Sequence, residues 1–271
     1  MFSSPDLSSV KLQRQQDLQV DSQEWDICDI AMVSPTEMLV CDSGESKVNL
    51  VNSTVGGVMA SVSVPEWPLR ICLLSESMAA VSLQTKKIQF IRVGRGSLTL
   101  GRVLEVDKDI DGITTLDSCL VTSSTDPPGV TIMSVDGKLM YTVDNQKAGR
   151  EVFKEPNFLT SSVDGYIYVS DWDTNTVTKL DNKLNMQKTF TDPSLQIIHG
   201  IVSISRDQLL VCSLNNHSIV LLNTRTGNTS VLLGEQDGLK GPYALTYCHT
   251  QRKLFVAPWQ NTTHIRVYKL V

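Results

Sequence analysis

The stretch Asp164-Gly165-Tyr166-Ile167-Tyr168-Val169-Ser170-Asp171-Trp172-Asp173-Thr174-Asn175-Thr176-Val177 reads as a strand, a polar turn and the start of a second strand. Its β-branched and aromatic residues favour extended backbone, and the Asp, Asn and Thr residues between them favour a tight connection. The arrangement recurs six times. Its first strand passes through Val40, Ala80, Val121, Val169, Val211 and Val256, at intervals of 40, 41, 48, 42 and 45 residues. The second strand follows each anchor by 8 or 9 residues, at Val48, Ile88, Val130, Val177, Ile219 and Ile265. The longest interval holds the Asp126-Pro127-Pro128-Gly129 turn and a polar stretch from Asp144 to Glu151. A period of roughly 40–50 residues with several strands per unit predicts a β-propeller.

Further short strands fit around each pair. Ahead of it lie apolar segments such as Ile30 to Val33, Leu69 to Leu73, Ile110 to Leu116 and Ile201 to Ile204, read as inner strands lining a channel. After it come outer strands such as Val58 to Val64, Gly101 to Val106, Leu139 to Val143 and Gln187 to Phe190. The expectation is an all-β, six-bladed propeller of four-stranded antiparallel blades spanning residues 1–271 as one domain. The sixth unit lacks an outer strand, so the N-terminal segment at about residues 10–20 is expected to supply it and close the ring.

The quoted unit resembles an NHL repeat. The likeness lies in its Gly-Tyr-Ile-Tyr-Val-Ser-Asp core, an Asn in the turn and a β-branched strand start. Leu210 to Ile219 is similar and carries Asn216-His217 in its turn, while Leu39 to Val48 keeps only Asp42-Ser43-Gly44. The other three units match by spacing. The resemblance covers about residues 26–271 and is to the C-terminal NHL domain of tripartite-motif (TRIM-NHL) proteins. It implies a recognition module for substrate proteins or RNA. Any ubiquitin-ligase activity would lie in a RING outside this chain, since no Cys/His cross-brace occurs.

Composition narrows the chemistry. The chain has 24 Lys and Arg against 29 Asp and Glu, a net charge of −5, which argues mildly against a nucleic-acid or membrane-surface protein. No apolar run is long enough to span a bilayer, and Met1 to Asp6 lacks a secretory pattern. Cys28, Cys41, Cys72, Cys119, Cys212 and Cys248 are scattered without CxxC pairs and read as reduced, structural residues. The sequons at Asn52, Asn216, Asn228 and Asn261 then carry no role, and a cytoplasmic protein is expected.

No zinc, nucleotide or nucleophile motif is present, so no cofactor, metal or catalytic residue is expected, and the chain reads as a non-enzyme. A metal-dependent propeller hydrolase or lyase is the alternative; the inner strands read as apolar or Ser/Thr, with His199 and Asp111 the nearest polar candidates. Two surfaces stand out. Between Ser77 and Leu104 the cations Lys86, Lys87, Arg92, Arg95 and Arg102 occur with no acid, a possible RNA patch; no DNA or membrane partner is expected. Trp67, Trp172, His217, Tyr243 and Trp259 fall in connections that open on one face, and Trp25 lies nearby. Exposed Trp and Tyr make this face the expected protein-binding surface.

Overall fold

Six antiparallel sheets follow one another along the chain, five of four strands and the last with two short strands sharing its outer position. The computed structural model describes residues 11–20, 24–259 and 262–271. Blade 1 comprises Ile27–Ser34, Glu37–Asp42, Lys47–Asn52 and Val58–Ser63. Blade 2 comprises Pro68–Ser75, Met78–Leu83, Lys87–Gly94 and Ser97–Glu105. Blade 3 is Gly112–Leu116, Cys119–Thr125, Pro128–Met133 and Leu139–Asp144. Blade 4 is Pro156–Ser161, Ile167–Asp171, Thr176–Leu180 and Met186–Phe190. Blade 5 is Ile198–Ser205, Gln208–Ser213, Ser218–Asn223 and Thr229–Leu233. Blade 6 holds Pro242–Cys248, Lys253–Pro258 and His264–Leu270. Its outer position is taken by Leu12–Arg14, paired antiparallel with Leu270 to Tyr268, and by Leu18–Gln19 farther along the same strand. The protein is a six-bladed β-propeller.

The repeat's composition follows from this stacking. A middle strand is covered on both faces by neighbouring blades, so it needs no polar alternation. Leu39, Val40 and Cys41 are all fully buried, as are Leu210, Val211 and Cys212. Each such Leu or Val contributes about 1.5–3 kcal/mol relative to exposure. Outer strands meet water and alternate, as Val58–Ser63 does. The cores lie between blades: Leu39, Val48 and Leu50 of blade 1 pack with Ile71, Val81 and Ile91 of blade 2. Where the ring closes, Leu18, Val20 and Trp25 join Phe255, Ile265 and Val267 in one cluster.

Several local expectations are corrected. The outer strand of blade 2 begins at Ser97 rather than Gly101, because Gly96, at φ 61°, lets a two-residue turn reverse the chain directly after Gly94. Pro128 and Gly129 belong to a strand, and Ile110 and Asp111 precede the inner strand of blade 3. The polar stretch after Asp144 forms a one-turn helix, Asn145–Ala148, capped by the Asp144 carboxylate and ended by Gly149 in the left-handed region. All six cysteines are free, and five are buried. Burial raises the thiol pKa of Cys41, Cys72 and Cys212. Among the described residues no helix is long and apolar enough to cross a membrane. Val10, the Asn261 sequon and Met1 to Asp6 lie outside the described residues.

Candidate functional site

The site is built from an irregularity repeated in the inner strands. Five of the six carry a break in register near their start, at Cys28, Leu69, Asn157, His199-Gly200 and Tyr243. Blade 3 pairs without a break from Gly112 onward. A bulge inserts unpaired residues and re-aims side chains that strict alternation would place elsewhere. Here it brings Asn157, His199 and Tyr243 around the channel mouth, where Arg70 joins them. Gly200 makes the blade 5 bulge possible: a Cβ there would fall 2.6 Å from the Tyr243 carbonyl oxygen.

Arg70 is the centre of this group. It is only 4% exposed. One terminal nitrogen donates to the carbonyls of Leu69 at 2.6 Å and Cys28 at 3.3 Å. The other donates to Asn157 Oδ1 and, at 3.0 Å, to the Tyr243 hydroxyl. The guanidinium carbon lies 3.7 Å from the centre of the Phe158 ring, a cation–π contact. Aromatic rings continue outward: His199 is 4.7 Å from Tyr243 and stacks on Trp259 at 6.0 Å, and Tyr243 meets Trp259 edge-on at 4.5 Å.

Below Arg70, Asp29 accepts from the backbone amides of Ile30 at 2.9 Å and Ile71 at 3.0 Å. Burial pushes its carboxyl up to about 6, against the pull of Arg70 and of the two amides. Burial, and then the Arg70 charge, lower His199 to about 4, so its imidazole is neutral at pH 7. The channel thus contains charge that the inner strands' apolar reading did not anticipate. Asp29 and Arg70 were both in view in the sequence, but only three-dimensional convergence distinguishes them from surface residues. Asp111, the other polar candidate, is used locally, accepting from the Thr125 amide.

Above Arg70 opens a pocket of about 540 Å³, whose lining includes Trp67, Trp259, Tyr243, Asp26 and Ser43. Trp67 and Trp259 are 58% and 47% exposed, unusual for residues of that size. Three expected partner-binding residues therefore meet at one pocket, with Tyr243 buried at its back. The other two stand apart. Trp172 is half-buried beside Glu155 and does not line the pocket. The half-buried His217 sits in the turn between the second and third strands of blade 5, at φ 49°, and its Nδ1 accepts from the Gly241 amide. Trp25 is buried in the closure core.

The basic stretch does not form one patch. Lys86 and Lys87 lie at the mouth end of the third strand of blade 2, and Lys87 pairs with Glu66 at 2.7 Å. Arg92 and Arg95 lie towards the opposite end of that strand. Arg102 stacks on Phe90 and pairs with Asp136 at 3.6 Å. Among the described residues no three His, Cys, Asp or Glu side chains group as a metal site would.

No family model matches the chain, and no curated protein matches it. Solved structures do. Streptogramin B lyase is similar at a TM-score of 0.67 and 13% identity, covering 97% of this chain and 98% of its own. The WD40 β-propeller domain of Doa1 is similar at 0.62 and 13%, covering 95% and 97%. The β-propeller domain of Myceliophteria thermophila Cps50 (Swd1) is similar at 0.64 and 13%, covering 90% and 84%. The likeness is one of fold.

Proposed function

We propose that this propeller is a non-catalytic recognition module that holds a protein partner on the face around Arg70, with Trp67 and Trp259 as its anchors. The observation that carries the reading is their joint exposure at the rim of one pocket. Large aromatic side chains left in water beside a concave surface are what a partner buries with most gain. The NHL-like turns of blades 4 and 5 support the narrower reading of a recognition domain from a tripartite-motif type ubiquitin ligase, the ligase chemistry lying in another domain.

RNA is the alternative partner, and it is weakened by the Lys87–Glu66 pair and by the separation of Arg92 and Arg95 from the mouth. Trp67→Ala with Trp259→Ala should lower partner capture about tenfold or more, while the melting temperature stays near wild type. Lys86→Glu with Lys87→Glu should leave capture intact. If the tryptophan variant captures as well as wild type, the proposal fails. If the lysine variant alone loses a salt-sensitive ligand, RNA takes its place.

A further inference from the structure

The pocket between Trp67 and Trp259 has a buried cation at its floor, which a purely adhesive surface has no need of. Arg70 donates to four neutral acceptors, and among the described residues no carboxylate lies within ion-pair distance of it. Its Nε has no hydrogen-bond partner. Asp29, the nearest source of negative charge along the channel, has both carboxylate oxygens turned to backbone amides. Burial opposes the guanidinium's charge, but Tyr243 and Asp29 more than offset it, so Arg70 stays a fixed cation beneath the pocket.

Tyr243 shows where that partner would arrive. Its hydroxyl oxygen accepts from Arg70, so its hydrogen remains for another acceptor, and the described residues provide none. The same residue lines the pocket. An O–H group polarised by a guanidinium behind it is a strong donor to an anionic oxygen. The His199 ring packs against Tyr243 at 4.7 Å and offers no competing negative charge. Asp26 stands at the rim, and Glu66 beside it holds Lys87 and Thr85. That acidic rim disfavours a polyanion, leaving Arg70 and Tyr243 at the floor as the groups that would meet a single carboxylate.

We infer that the pocket receives an acidic side chain, Glu or Asp, from the partner protein. Its carboxylate accepts from the Tyr243 hydroxyl above Arg70, and its apolar neighbours lie on Trp67 and Trp259. This rests on the protein-recruitment reading and names the chemistry of the recognised segment.

The test uses the full chain and three acetylated pentapeptides, followed by quenching of tryptophan fluorescence. The first is Gly-Phe-Glu-Phe-Gly amide, the second replaces Glu by Gln, and the third is the Gln peptide with a free C-terminal carboxylate. The Glu peptide should bind about tenfold more tightly than the Gln amide. Tyr243→Phe, which keeps the ring packing, should weaken the Glu peptide about fivefold and leave the Gln amide unchanged. Arg70→Lys, folded by its melting curve, should weaken the Glu peptide as well.

Equal binding of Glu and Gln peptides, no binding by any peptide up to about 5 mM, or no effect of Tyr243→Phe overturns the inference. So does preference for the free C-terminus, or an oligouridylate that displaces the Glu peptide from the pocket. Indifference to Glu, combined with partner capture that still depends on Trp67 and Trp259, overturns this inference alone. Glu-selective binding with partner capture unaffected by the tryptophan variants keeps the carboxylate site and overturns protein recruitment.

Discussion

Where blade 4 meets blade 5 the joint is neutral, and where blade 1 meets blade 2 it is ionic. At the first, Asn175 reaches from its turn to accept the Ile197 amide, and the Ser170 hydroxyl donates to the His199 carbonyl at 2.7 Å. At the second, Asp29 accepts from the Ile71 amide, and Arg70 donates to the Cys28 carbonyl. Both joints satisfy backbone groups that stacking would otherwise strand. The neutral one does so with little desolvation, whereas the ionic one buries two charges. The ionic joint differs in that it buries a carboxylate and a guanidinium together, Asp29 and Arg70, beside the mouth.

The largest expected effect lies in blade 4 itself, beside the neutral joint. Asp171 is fully buried and accepts from the amides of Lys154, Glu155 and Thr174, tying the turn to the start of its blade. Asp171→Ala should lower unfolding free energy in urea by about 3 kcal/mol, because buried amides lose a charged acceptor. A loss below about 1 kcal/mol would mean that water replaces the carboxylate and the motif is not structural.

The ionic joint is tested by pH. The folded Asp29 pKa of about 6 lies above the ordinary carboxylate value. Its contribution is complete at pH values low enough to protonate it in both states, and it is lost as pH rises through about 6. Asp29→Asn cannot titrate, so from pH 4 to pH 7 the variant should gain on wild type by about 2 kcal/mol. His199 shifts in the opposite sense, losing its contribution as pH falls towards 4, but it is present in both chains and cancels in the difference. A pH-independent difference would remove the claim that Asp29 is held at a cost.

The smallest effect compares two equivalent turn residues. Asn175 and Lys86 both have φ near 55°. Asn175→Ala should cost about 1.5 kcal/mol, through the lost acceptor and an alanine in left-handed backbone. Lys86→Ala exchanges one strained residue for another and should stay within about 0.5 kcal/mol. Equal losses would show that backbone strain, rather than the Asn175 bond, holds the joint.

These comparisons explain what could be read from residues alone. Middle strands such as Leu39-Val40-Cys41 announce themselves because burial on both faces leaves a continuous apolar run. The spacing of six such runs is enough for the architecture. The pocket was legible only in part. Trp67 and Trp259 stand out as aromatic residues in connections, but their meeting with Tyr243 depends on a bulge, and a bulge has no periodic signature. Arg70 lies hidden in Leu69-Arg70-Ile71-Cys72, where one cation among apolar neighbours reads as an exposed position of an alternating strand. His217 resembles a binding residue in sequence, yet its ring is occupied by the Gly241 amide. A side chain's vacancy, unlike its type, is decided by the neighbouring blade.

The clasp formed by Leu12–Arg14 on the last strand has a mechanical consequence. Leu12 faces Leu270, and the backbone of Lys11 and Val271 is paired just beyond. The two points at which tension would be applied therefore lie at the same end of an antiparallel ribbon. A force drawing them apart loads the hydrogen bonds one after another, as in a zipper, instead of all together in shear. The propeller should resist heat as a ring but yield under traction at this seam, with blade 6 opening first.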